Sequence, residues 1–197
     1  MSHTITRFNK EVELYPDFLL GKKIWLITDT HFNHKHIIEY ENRPVNFKEL
    51  IIENCKKMIK EEDVLIHLGD VIFSKPSELT EILEQIPGFK ILVRGNHDVK
   101  KKKWFLDHGF DLVVDALYHP NGVIYSHEPF DIFGRADYNI HGHFHRAVRT
   151  ESDRTAKGYD FYTKNHAYLS VEEENYKPIT LIDFIKRQVK KEENDIT

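Results

Sequence analysis

Five short polar clusters punctuate the chain: Asp29-Thr30-His31, Gly69-Asp70, Gly95-Asn96-His97-Asp98, Ser126-His127-Glu128 and Gly142-His143-Phe144-His145. They supply carboxylate and amide oxygens and imidazole nitrogens, and no sulfur. That donor set suits Mn²⁺, Fe²⁺, Zn²⁺, Co²⁺ or Ni²⁺. A site made for Mg²⁺ would lean more heavily on oxygen. More donors are present than one ion can take. They fit two ions sharing a carboxylate, about 3.5–4 Å apart, an arrangement that neutralises charge on a transferring phosphoryl group.

Each cluster needs an element to carry it. "KKIWLITDTHF" reads as a buried strand over Ile24–Thr28 that opens into a polar loop. "DVLIHLGDV" and "FKILVRGNHD" repeat the pattern. Between them, "FKELIIENCKKMIK" carries apolar residues at helical spacing, and "SELTEILEQI" reads as a helix with Pro76 or Ser77 near its start. "KKKWFLDHG" reads as a short helix stopped by Gly109. Strand and helix therefore alternate over the first 110 residues or so, which predicts parallel βαβ units. Ligands of such sheets bind at the C-terminal ends of strands, where the clusters lie. The second half reads as short β-like runs until "ITLIDFIKRQVKKEE", a terminal helix that is expected to fray after Lys190. "RAVRTESDRTAKGYDFYTKN", at 146–165, reads as a long loop over the site.

Bulk properties narrow the function classes. The 197 residues carry a formal net charge of −4 and are 40% hydrophobic, which weakens the case for a general nucleic-acid binder. A single cysteine, Cys55, excludes a disulfide framework and a thiolate zinc cluster. The first twenty residues hold Glu11, Glu13 and Asp17 and do not resemble a signal peptide, and no apolar run is long enough for a membrane span. A cytoplasmic protein of one domain, residues 1–197, is expected.

The ordered motifs resemble the calcineurin-like metallophosphoesterase superfamily. "DTH" at 29–31, "GD" at 69–70, "GNHD" at 95–98, "SH" at 126–127 and "GHFH" at 142–145 come in that family's order. "DTHFNHKHIIEYENRP" and "YKPITLID" are similar to a small bacterial and phage-type subgroup. The resemblance implies an α/β (α+β) sandwich of two mixed β-sheets packed together and flanked by helices. It implies that Asp29, His31 and His145 hold one metal, that Asn96, His127 and His143 hold a second, and that Asp70 bridges them. His97 would protonate the leaving group, Asp98 would support His97, and Arg94 would clamp the phosphate.

The expected activity is hydrolysis of phosphate esters by two divalent ions, Mn²⁺ first, through a hydroxide bridging them. A phosphomonoesterase is the leading form. A phosphodiesterase acting on cyclic nucleotides or nucleic-acid ends is the alternative within enzymes, and a non-catalytic metal-stabilised binding module the alternative outside them. A phosphorylated substrate is the expected partner, with no membrane and no general nucleic-acid binding.

Read singly, these residues carry blander meanings. Asp29 or Asp70 alone would be a turn or helix cap, and Asn96 a turn former beside glycine. His67 reads as a strand histidine rather than a ligand. His141 should stand outside the ligand set, Phe144 should turn away into packing, and the backbone should curl after Gly142. His34 and His36 can reach substrate or face solvent. Cys55 reads as packing. Arg43 and Pro44 follow the first cluster, and Arg135, Arg146 and Arg149 flank the last two.

Overall fold

The computed structural model describes residues 5–7, 10–73, 76–132, 136–145 and 151–195. Two mixed sheets face each other. The first is ordered β11-β3-β4-β5-β6: β3 is Ile24–Ile27, β4 Val64–His67, β5 Phe89–Val93, β6 Leu112–Val114 and β11 Ile179–Thr180. Its four strands β3 to β6 are parallel, and β11 closes one edge antiparallel. The second is ordered β1-β2-β7-β8-β9-β10: β1 is Ile5–Arg7, β2 Lys10–Leu14, β7 Ala116–His119, β8 Val123–Ser126, β9 Tyr138–His141 and β10 His166–Tyr168.

Side-chain alternation along β3 separates two cores. Ile24 and Leu26 point inward with Ile66, Ile91, Leu117, Tyr125 and Ile140, filling the space between the sheets. Trp25 and Ile27 point outward onto the helices. These are α2, Phe47–Met58, which buries Ile51, Ile52 and Cys55, and α3, Pro76–Leu83, which contributes Leu79, Ile82 and Leu83. Strands buried on both faces are largely apolar, which is why "IWLI" and the "VLI" of "VLIH" read as continuous runs. The short helices α1, Ile37–Tyr40, and α4, Lys102–Leu106, complete the connections, and Gly109 takes φ 113° after α4.

Three features depart from the sequence reading. The N-terminal residues form an antiparallel hairpin, β1 with β2, whose inner strand pairs parallel with β7. The expected loop over 146–165 contains a helix, α5, Glu151–Ala156; residues 146–150 lie outside the described ones. The terminal helix α6, Leu181–Asp195, continues past Lys190, where fraying was expected. α5 and the end of α6 sit in charged sequence with weak apolar pattern, where periodicity says little.

Candidate dinuclear metal centre

The parallel register aligns Ile27, His67 and Leu92, so β3, β4 and β5 end together. The loops beyond them stay paired: Asp29 N donates to Gly69 O (2.9 Å), His31 N to Asp70 O (3.0 Å) and Phe32 N to Val71 O (2.8 Å). Beyond β8 and β9, Gly142 N donates to His127 O (3.0 Å). Five of the candidate residues, Asp29, His31, Asp70, His143 and His145, hold φ between 45° and 70°. Left-handed backbone is uncommon outside glycine and collects at functional sites. Here it turns successive side chains inward from a very short span.

One set of atoms gathers around Asp29 Oδ1. His145 Nε2 lies 3.4 Å away and His31 Nε2 3.8 Å away, and these two nitrogens are 3.3 Å apart. A second set gathers around His127 Nε2, with Asn96 Oδ1 at 2.9 Å and His143 Nδ1 at 3.2 Å. Asp70 Oδ2 stands between them, 3.7 Å from His31 Nε2 and 3.4 Å from His127 Nε2. Ligand atoms of Asp29, His31 and His145 lie within 4.8 Å of one another, as do those of Asp29, Asp70 and His127.

These residues fit a pair of cations. Asp29 Oδ1 is buried without a hydrogen-bond partner, although Oδ2 of the same carboxylate accepts from Thr28 Oγ1 (2.6 Å) and His143 N (3.0 Å). A buried carboxylate oxygen left bare is expensive unless a cation meets it. The imidazoles are set as ligands too. His127 Nδ1 lies 2.7 Å from Leu68 O, which as an acceptor fixes Nδ1 as the protonated nitrogen and frees Nε2. His145 Nδ1 lies 3.2 Å from Glu172 Oε1, which orients its Nε2 in the same way.

The electrostatics agree. Burial alone would raise the Asp29 carboxyl, but His127, His145 and His31 hold it below its ordinary value. Burial lowers His31 to about 3. Burial would lower His127 as well, yet its contact with Asp70 and the charge of Asp29 raise it to about 9. Without a metal, therefore, the carboxylates draw a proton onto His127, where a cation would otherwise sit.

The remaining predicted residues divide. His97 N donates to Asp70 Oδ1 (2.9 Å), and its half-exposed imidazole stands 4.0 Å from Asp70 Oδ2. Asp98 acts on the loops. Its carboxylate accepts from Asp70 N (2.8 Å), Gly95 N (2.8 Å) and Val71 N (3.1 Å), so it ties the second cluster loop to the third, which carries His97. Arg94 is engaged as well: Nε and a terminal nitrogen donate to Asp115 Oδ1 at 2.9 and 2.6 Å, and the other to Lys100 O at 3.1 Å. Asp115 lies after β6, a partner that the "RGNHD" motif could not reveal.

Beyond the motifs, His67 Nε2 meets Thr30 Oγ1 (2.9 Å) and its Nδ1 accepts from Gly69 N (3.1 Å). His141 is fully buried, with Nδ1 2.8 Å from Gly142 O and Nε2 3.1 Å from the Tyr162 hydroxyl. Phe144 is buried beside Tyr159 and Tyr162. The backbone curls after Gly142, with positive φ at His143 and His145 and not at the glycine itself. Glycine is needed there for closeness: a Cβ would lie 2.0 Å from Thr28 Oγ1 and 2.5 Å from Asp29 Oδ2. Arg135, Arg146 and Arg149 lie outside the described residues.

Sequence reasoning missed Glu172. It is buried, pairs with Arg43 and contacts His145. It could form a further acidic group with Glu41 and His145, but Arg43 already neutralises it.

A two-sheet sandwich with paired ligand sets at the strand ends defines a hydrolase of the dinuclear metal type. The family model described as calcineurin-like phosphoesterase matches residues 22–193, and the chain belongs to that family. An uncharacterized protein of Methanocaldococcus jannaschii is 33% identical over 178 residues, covering 86% of this chain and 93% of that protein. The crystal structure of a protein of unknown function from Aquifex aeolicus matches with TM-score 0.64 and 31% identity, over 84% of this chain and 99% of that one. Among the described residues, no helix is long and apolar enough to cross a membrane.

Proposed function

We propose that the chain hydrolyses phosphate esters, with monoesters as the leading substrates. The observation that carries this reading is Asp70, one of whose oxygens lies within 3.7 Å of His31 Nε2 and within 3.4 Å of His127 Nε2. A single carboxylate facing two imidazole sets is suited to hold two cations at a fixed short separation. In this reading Asp29, His31 and His145 hold one ion, Asn96, His127 and His143 the other, and Asp70 both. Mn²⁺ is the proposed resident, since the set mixes oxygen and nitrogen donors; Fe²⁺, Zn²⁺, Co²⁺ and Ni²⁺ suit the same set. When bound, the pair would neutralise phosphoryl charge and supply a nucleophile from water at neutral pH.

The protein's own part is orientation and proton transfer. The exposed His97 imidazole can reach a leaving-group oxygen and give it a proton. Asp98 fixes the loops that set His97 beside Asp70. Arg94 would reach a phosphoryl oxygen by leaving Asp115, so its clamp role depends on opening that pair.

A diester reading also has support. Two clefts lie near the centre, one of about 580 Å³ beside Phe73, which packs against His31, and one of about 300 Å³ beside Arg94, Asn96 and Glu128, so a second substituent has a place to go. Metal-reconstituted protein assayed on aryl phosphate monoesters and diesters separates the two. Metal-dependent phosphate release supports the phosphoesterase reading, and no release from any ester rejects it. His97→Asn should keep its metals and slow turnover by about 10²-fold or more, with a smaller loss on good leaving groups.

A further inference from the structure

The cleft of about 580 Å³ beside the centre has two unlike walls. One is the ring of Phe73, 38% exposed, a large apolar face in water. Its centroid is 5.5 Å from that of His31, 5.2 Å from that of His97 and 4.3 Å from that of His34. Its backbone is tied down: Phe73 N donates to Phe32 O (2.9 Å), continuing the backbone pairing that sets His31 against Asp70. The loops that position the candidate ligands therefore position this aromatic face as well.

The other wall is polar and ordered. Lys48 Nζ donates to Asn33 Oδ1 (3.0 Å), and Asn33 Nδ2 donates to Glu78 Oε2 (2.6 Å). An amide held between an ammonium and a carboxylate keeps one orientation, with donors and acceptors at defined places. The cleft of about 300 Å³ beside Asn96 differs. Its described lining includes Asp115 and Glu128 and no aromatic residue. It offers no stacking face, and its Arg94 and Asp115 are paired with each other.

We infer that the Phe73 cleft receives the leaving group of the substrate, and that this group carries a flat heteroaromatic ring with a hydrogen-bonding edge, as a nucleobase does. The ring stacks on Phe73, and its edge meets the Lys48–Asn33–Glu78 wall. The inference rests on the phosphoesterase reading, because His97, the proposed proton donor to the leaving oxygen, packs against Phe73 and so sets the side of departure. An aliphatic leaving group would use Phe73 and leave the polar wall unanswered. A small sugar or glycerol group would do the reverse. Stacking of a base on an aromatic side chain contributes about tenfold to hundredfold in affinity.

The test compares kcat/KM for the four nucleoside monophosphates with that for ribose 5-phosphate, using metal-reconstituted protein. The ratio should favour nucleotides by about tenfold or more. Phe73→Leu should collapse the ratio, and Phe73→Trp should restore it. A ratio near one, or one that Phe73→Leu leaves unchanged, overturns the inference. A second arm needs no turnover: calorimetric titration with adenosine should show binding that weakens about tenfold or more in Phe73→Leu. Absent binding, or binding indifferent to the substitution, also overturns it. If no ester releases phosphate, the phosphoesterase reading fails by itself, and the titration alone judges the cleft.

Discussion

Arg43 and Glu172, 129 positions apart, form an ion pair whose two side chains are fully buried. Arg43 also donates to the carbonyl oxygens of Thr30 (2.9 Å) and Asp29 (2.7 Å). Glu172 Oε1 lies 3.2 Å from His145 Nδ1, and its other oxygen accepts from Ser170 Oγ (2.7 Å). One pair thus joins the backbone of the first cluster to an imidazole of the last. Burying two charges is costly unless each is fully partnered, and here each is.

Glu172→Ala should therefore do two things. It leaves Arg43 buried and unpaired, destabilising the fold by about 3–5 kcal/mol in urea unfolding. It also frees the His145 ring, which should weaken metal binding about 10- to 100-fold in a chelator competition. A variant of unchanged stability and unchanged affinity would show that the pair supports nothing.

Gly142→Ala tests close approach. Its Cβ would fall 2.5 Å from Asp29 Oδ2 and 2.0 Å from Thr28 Oγ1, so the Asp29 carboxylate must shift. Gly95→Ala would press on the shared carboxylate instead, with Cβ 2.1 Å from Asp70 Oδ1. Both variants should lose metal affinity by at least about tenfold. Wild-type affinity in either would mean that the carboxylate in question is not a ligand.

Acid should weaken the metal-free protein. Burial lowers His67 to about 4 and His141 to about 3, from 6.5. The unfolded chain then takes up protons that the folded chain refuses, so this stability is complete above about pH 6.5 and drains as pH falls toward 3–4. His127 acts oppositely. Its rise to about 9 gives stability present below about 6.5 and lost as pH climbs through 9. Metal-free stability should peak near pH 6.5, and bound metal should remove the alkaline decline by replacing the proton. His141→Gln should flatten the acid limb in pH-dependent urea unfolding; an unchanged limb would show that His141 titrates normally.

The cluster residues were legible because each follows an apolar run whose strand character is local. The ends of β3, β4 and β5 could be placed from "IWLI", "VLIH" and "FKILV" alone. What stayed hidden was set by distant partners. Glu172 lies in "SVEEEN", where nothing in the sequence separates it from Glu173 and Glu174 until Arg43 is seen against it. Asp98 could not be separated from His97 by sequence, yet its carboxylate serves Asp70, Val71 and Gly95. Arg94 reads as a free cation until Asp115 appears beside it. The β1–β2 hairpin carries too little apolar alternation to stand out, and its pairing with β7 is settled by the sheet.

The most direct measurement is the number of divalent ions held by the saturated protein. Protein stripped with chelator, reconstituted with Mn²⁺ and freed of excess should retain two ions per chain by elemental analysis, because Asp70 faces both ligand sets. Asp70→Asn should weaken both sites together. A wild-type protein that saturates at one ion, or an Asp70→Asn variant that still holds two at wild-type affinity, would contradict the shared-carboxylate centre.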